Sequence, residues 1–147
     1  MRFNSVIFDW KRTLYDPESR RLMKSVTSLL EFLKLGKINI YLIGKGGDGM
    51  LDEVKRIGIK DFFEDIIFVN ESKEEFNFEK YIDKVNSKNT LVVGDRLNSE
   101  LAIGNRLGTT TVFIQQGKFA DEKACDPKNI PDFVFGSIQE FYNFIKT

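Results

Sequence analysis

Asp9 closes the apolar run Val6-Ile7-Phe8, and Asp95 closes a second run, Leu91-Val92-Val93-Gly94. An apolar run that stops at a carboxylate reads as a buried strand presenting an oxygen ligand at the carboxyl edge of a sheet, where open α/β sheets place their ligands. Two such carboxylates with a backbone carbonyl make a hard oxygen site suited to Mg2+, a cation that keeps several of its waters. Glu100 follows Asp95 by five residues, near the start of a helical pattern, and can hold a metal-bound water or a lysine. A third run ends at Ile43-Gly44-Lys45-Gly46-Gly47, whose glycines can aim backbone N–H groups at an anion or form a simple turn.

Other chemistries are excluded by what the chain lacks. It has no histidine, which removes Ser-His and Cys-His catalysis and the usual imidazole zinc sites. Its one cysteine, Cys125, lies in a polar stretch without thiol partners and reads as an incidental surface residue. Twenty-two basic residues balance 22 acidic ones, so no global field points to nucleic acid or to an anionic membrane surface. No stretch approaches the roughly 18 consecutive apolar residues of a membrane span, and no leader pattern precedes the first apolar run. A soluble, cytoplasmic protein is expected, whose chemistry rests on carboxylates and lysines.

The elements that must position these residues follow from periodicity. Val6–Phe8, Ile38–Ile43, Ile66–Phe68, Leu91–Val93 and Thr110–Ile114 are five short apolar or β-branched runs, predicted to be strands. Between them Leu22, Val26, Leu29, Leu30 and Leu33 recur at helical spacing, as do Met50, Val54 and Ile57, then Phe78, Tyr81, Ile82 and Val85. Ile138, Phe141, Tyr142 and Ile145 mark a last helix, started by a capping box at Ser137 and Glu140. Asn98 is placed to cap the helix running to Leu107, and Gly36, Gly58 and Gly108 to stop three helices. Strands alternating with helices predict a three-layer α/β sandwich around a mainly parallel five-stranded sheet. With 147 residues and 41% hydrophobic content, one domain over 1–147 is expected. Residues 115–131 form the longest segment without a period.

Taken in order, Asp9 to Leu14, the strand end at Gly44, Lys73, and Gly94-Asp95 through Glu100 resemble the four motifs of the haloacid dehalogenase-like (HAD) superfamily. Its members are mostly Mg2+-dependent phosphatases and phosphotransferases working through a phospho-aspartate. The resemblance covers nearly the whole chain, and Gly94-Asp95-Arg96-Leu97-Asn98-Ser99-Glu100 with Gly104 and Leu107-Gly108 is its most specific part. It implies a Rossmann-like HAD fold with Asp9 as nucleophile and Lys73 neutralising phosphoryl charge. Asp9, Asp95 and the carbonyl of Lys11 would hold Mg2+, with Glu100 beside them.

The chain departs from that pattern at several positions. Lys11 stands where the family has its second aspartate, the acid that protonates the leaving alcohol, a contribution worth about 10²–10⁴-fold. The Lys11 ammonium can favour an ionised Asp9 and add charge for an anionic substrate, occupy the cation site, or point to solvent. Arg12 follows where glycine is frequent, and Gly44 replaces a hydroxyl residue, with the backbone of Gly44–Gly46 and Lys45 as substitutes for the lost donor. Glu100 replaces the more frequent Asp. Arg12 and Arg96 can bind phosphate or make structural ion pairs, and Lys118 follows the fifth strand at the same edge.

No segment before Lys73 has room for an inserted cap, so the resemblance implies a capless member. By family analogy, its open site would take a phosphorylated small molecule or macromolecule, with closure by a second copy or a partner protein. Two functions remain: a slow, atypical Mg2+-dependent phosphohydrolase or phosphotransferase, and a non-catalytic relative that binds a phosphorylated ligand or protein partner.

Overall fold

The computed structural model describes residues 2–47 and 49–147. Six strands form one parallel sheet: β1 (Ser5–Phe8), β4 (Asn39–Lys45), β5 (Asp65–Val69), β6 (Thr90–Gly94), β7 (Thr110–Ile114) and β8 (Phe133–Phe135). Their order is β5-β4-β1-β6-β7-β8, and every neighbouring pair runs parallel. The five expected strands are present. The sixth, β8, escapes a periodicity search because three residues are too few to show a period, and it lies at the sheet edge.

Side chains alternate across the sheet, as the pleat requires. Val6 and Phe8 of β1 join Ile40, Leu42, Val93 and Val112 beneath α1 (Val26–Leu35), α2 (Met50–Ile57) and α5 (Ile138–Ile145). Ile7 points the other way, joining Ile43, Val92 and Phe113 under α3 (Glu75–Glu79) and α4 (Glu100–Arg106). The result is a three-layer α/β sandwich. Among the described residues no helix is long and apolar enough to cross a membrane.

Several local expectations change. Leu22 belongs to a small antiparallel hairpin, β2 (Tyr15–Asp16) with β3 (Arg21–Leu22), and α1 begins only at Val26. The third helical pattern stops early: α3 ends at Glu79, and Val85 is exposed. Asn98 does not cap α4, whose N-cap is Ser99; its side chain instead bonds the Lys123 carbonyl at 2.9 Å and the Cys125 N–H at 2.9 Å. Gly58 (φ 85) and Gly108 (φ 79) adopt the left-handed conformation expected after α2 and α4, whereas after α1 Lys37 (φ 59) takes it in place of Gly36 (φ −78). At α5, Ser137 accepts the Glu140 N–H at 3.2 Å, as its spacing predicts.

Candidate active site

The chain lays down β1, moves outward to β4 and β5, then returns to the other side of β1 with β6. That reversal opens a crevice at the carboxyl ends of β1 and β6, which is where ligands bind in such sheets. Phe8 pairs with Val93, and the Asp9 N–H donates to the Val93 carbonyl at 3.0 Å. Asp9 and Asp95 therefore emerge side by side. With Glu100 they form a cluster whose nearest carboxylate oxygens all lie within 4.8 Å of one another.

All three acids are buried, which in an apolar setting would cost several kcal/mol per charge. Lys73 answers that charge. Its side chain is 5% exposed, and the ammonium is ion-paired to Asp9 Oδ1 and lies 3.2 Å from Glu100 Oε1. Thr13 Oγ1 adds contacts to Asp9 Oδ2 at 3.1 Å and Asp95 Oδ1 at 3.4 Å.

Protonation follows from these contacts. Burial pushes the Asp9 carboxyl up, but the Lys73 charge and hydrogen bonds from Asp95, Lys73 and the Trp10 backbone outweigh it, leaving Asp9 below its ordinary value. Asp95 is pushed up to about 9 by burial and then by the Asp9 charge. Glu100 is raised by the same two causes, in the same order. Lys73 is held above its usual value because Asp9 and Glu100 outweigh the cost of burying it.

The site fits a hard divalent cation. Among the described residues Asp95 Oδ2 is buried without a hydrogen-bond partner, an unmet acceptor in a cluster of oxygen donors. Asp9, Asp95 and Glu100 are the side chains that could hold the ion. Glu100 fits because the preceding strand ends in glycine: a Cβ at Gly94 would come within 2.5 Å of Glu100 Cγ and 2.7 Å of its Cδ. Glu100 Oε2 also accepts the Arg96 N–H at 2.9 Å, closing the loop between β6 and α4.

Above this floor opens a cavity of about 680 Å³, whose walls include Lys11, Arg12, Lys45, Arg96, Arg106 and Phe119. Lys11 is half-buried and is one of the residues lining it. Arg12 adopts φ 64, which accounts for the frequency of glycine there. Its backbone is held by donation to the Tyr15 carbonyl at 2.7 Å and by Gln116 Nε2 on its own carbonyl at 3.2 Å.

Two candidate residues lie outside the cavity wall. Gly44 is buried, and a Cβ there would meet Phe68 Cε1 at 2.5 Å and Trp10 Cβ at 2.9 Å. The hydroxyl position of the HAD pattern is thus filled by two aromatic residues. The Gly46 N–H, offered above as a phosphate donor, is given to the Val69 carbonyl at 2.8 Å. Lys118 does not line the cavity, and its ammonium lies 5.4 Å from the centre of the Phe119 ring.

Sequence reasoning missed the role of 115–131. Glu122 accepts from Arg96 Nη2 at 3.1 Å and from the Leu97 N–H at 2.7 Å, tying that segment to the loop after Asp95. Phe119 lies beneath the Arg96 guanidinium at 4.0 Å and within 5.6 Å of the Arg12 guanidinium. No period or motif marks either residue; only a position after the fifth strand, at the same sheet edge, pointed there.

A family model described as HAD-hydrolase-like matches residues 59–141, more than half of the chain. The chain belongs to the HAD-hydrolase-like family. It is 32% identical over 120 residues to glyceraldehyde 3-phosphate phosphatase of Methanocaldococcus jannaschii, covering 78% of this chain and 50% of that protein. The enzyme of the same name from Methanopyrus kandleri is 28% identical over 119 residues, covering 77% and 49%. This HAD-like chain therefore spans about half the length of the curated relatives it matches.

Solved HAD structures share its fold at low identity. The HAD-hydrolase YfnB from Bacillus subtilis, described as bound to magnesium, superposes with a TM-score of 0.81 at 14% identity, covering 100% of both chains. A HAD-superfamily hydrolase from Ehrlichia chaffeensis gives 0.75 at 15% identity, covering 99% of this chain and 98% of that one.

Proposed function

We propose that this HAD-like chain is a phosphohydrolase or phosphotransferase that transfers the phosphoryl group of a phosphate monoester or acyl phosphate through Asp9. The observation that carries this reading is the Asp9 carboxylate, held ionised by Lys73 at the floor of an open, largely cationic cavity. Relatives named as phosphatases support it.

An Asp9 oxygen attacks phosphorus while the ester or acyl oxygen departs with the bonding pair, leaving an acyl phosphate on Asp9. Water then attacks that phosphorus, releasing phosphate and regenerating the carboxylate. Lys73, fixed between Asp9 and Glu100, places positive charge beside the transferring group. Thr13 keeps Asp9 oriented toward the crevice. A Mg2+ ion held by Asp9 and Asp95, with Glu100 and the Lys11 carbonyl beside it, would supply charge neutralisation to the phosphoryl oxygens.

The second aspartate of the family is Lys11, which lines the cavity but offers no carboxyl proton to a leaving alkoxide. Leaving groups that depart without a proton, aryl oxides and carboxylates, are therefore the competent ones. Incubation with acetyl phosphate and Mg2+, acid quenching and intact-mass spectrometry tests this. A phosphorylated species absent from Asp9→Asn is the expected result. A protein that binds Mg2+ and phosphate by calorimetry yet never carries the phosphoryl group favours the non-catalytic binder.

A further inference from the structure

We propose that the substrate's leaving group carries an anionic group of its own, a carboxylate or a second phosphate, received between Arg12 and Lys45. This inference rests on the phosphoryl-transfer function above and names the class of substrate.

The cavity wall presents six basic side chains, Lys11, Arg12, Lys45, Lys73, Arg96 and Arg106, against the three acids of the floor. Several of these bases are already committed. Lys73 serves Asp9 and Glu100, Arg96 is bound to Glu122 at 3.1 Å, and Arg106 to Glu75 at 2.6 Å. Among the described residues, Arg12 and Lys45 form no salt bridge, although both face the cavity.

Their placement follows from the sheet order. Lys45 ends β4, and Arg12 follows β1, the adjacent strand. Both rise at the carboxyl edge beside the Asp9 floor. Arg12 is further set by its left-handed backbone, by the Gln116 bond to its carbonyl and by the Phe119 ring. A guanidinium held this way has given up part of its conformational freedom before any ligand arrives, which favours recognition of a carboxylate or phosphate. A phosphoryl group seated on Asp9 and Lys73 leaves these two cations to face the remainder of the substrate. A neutral leaving group would leave both without a salt-bridge partner among the described residues.

Calorimetry with stable phosphonates reads this without turnover. Ethylphosphonate carries the phosphoryl mimic alone, 3-phosphonopropionate adds a carboxylate, and 1,3-propylenediphosphonate adds a second phosphonate; all are titrated in Mg2+. The intact protein should bind at least one of the two longer ligands about tenfold or more tightly than ethylphosphonate, and whichever is preferred identifies the second anion.

Lys45→Gln, at an exposed position that does not threaten folding, and Arg12→Gln should each reduce that preference severalfold, whereas Lys55→Gln, on the exposed face of α2, should not. Equal binding of all three ligands, no binding of any, or a preference that survives both variants overturns the inference. Phosphorylation of Asp9 by acetyl phosphate is scored separately. A protein that forms phospho-Asp9 yet shows no preference loses this inference alone, and one that forms none loses the parent function.

Discussion

The Lys73 ammonium is ion-paired to the Asp9 carboxylate across 64 residues of sequence, with both side chains at least nine-tenths buried. Charge placed this deep is retained only while its partner is present.

Removal of that ammonium should therefore be doubly harmful. Lys73→Met leaves Asp9 and Glu100 buried beside each other with no counter-charge, a loss on the order of 3–5 kcal/mol for a broken buried pair. Thermal unfolding should show a large fall in Tm, partly recovered in Lys73→Met with Glu100→Gln. Equal Tm values for the single and double variants would show that the two acids do not share the lysine.

In the proposed reaction, Lys11 limits which leaving groups are competent. Lys11→Asp supplies the missing acid, and general acid catalysis is worth about 10²–10⁴-fold. Turnover of alkyl phosphates should rise within that range, and turnover of aryl and acyl phosphates far less. A variant with unchanged selectivity between the two classes would mean that another group already supplies the proton.

Gly44 is a packing requirement. Gly44→Thr restores the hydroxyl of the HAD pattern, but its Cβ meets Phe68 and Trp10, and overpacking costs about 1–3 kcal/mol. Chemical denaturation should show that loss, and adding Phe68→Ala should relieve part of it. A stable Gly44→Thr protein with tighter phosphate binding would show that the aromatic pair yields.

Acid stability depends on Glu53. Hydrogen bonds from Arg20, Arg56 and the Tyr15 hydroxyl hold its carboxyl well below the ordinary range, clamping the β2–β3 hairpin to α2. Because the folded state lowers this pKa, the stabilisation is fully present above the unfolded value, about 4.3, and is lost as pH falls toward the folded one. The Tm of the intact protein should exceed that of Glu53→Gln at pH 7, and the gap should narrow below pH 4. A gap independent of pH would assign the effect to packing.

How far the chain alone reveals this site varies with the residue. Asp9, Asp95 and their two strands are legible because an apolar run ending in a carboxylate is a local pattern, and the parallel order follows from strands alternating with helices. Glu100 is legible through its spacing from Asp95, whereas Lys73 is legible only through the resemblance to the HAD motifs.

Tertiary structure decides what depends on approach between distant segments. Gly44 looks like a lost phosphate ligand until Phe68 and Trp10 are seen filling the space of its side chain. The 115–131 segment looks featureless until Glu122 is seen holding Arg96 and Leu97, and Phe119 beneath two guanidiniums. Local sequence encodes periodicity and chain reversal, which are properties of neighbours. Side-chain contacts across the sheet edge join residues from five strand ends, and no window of sequence contains them.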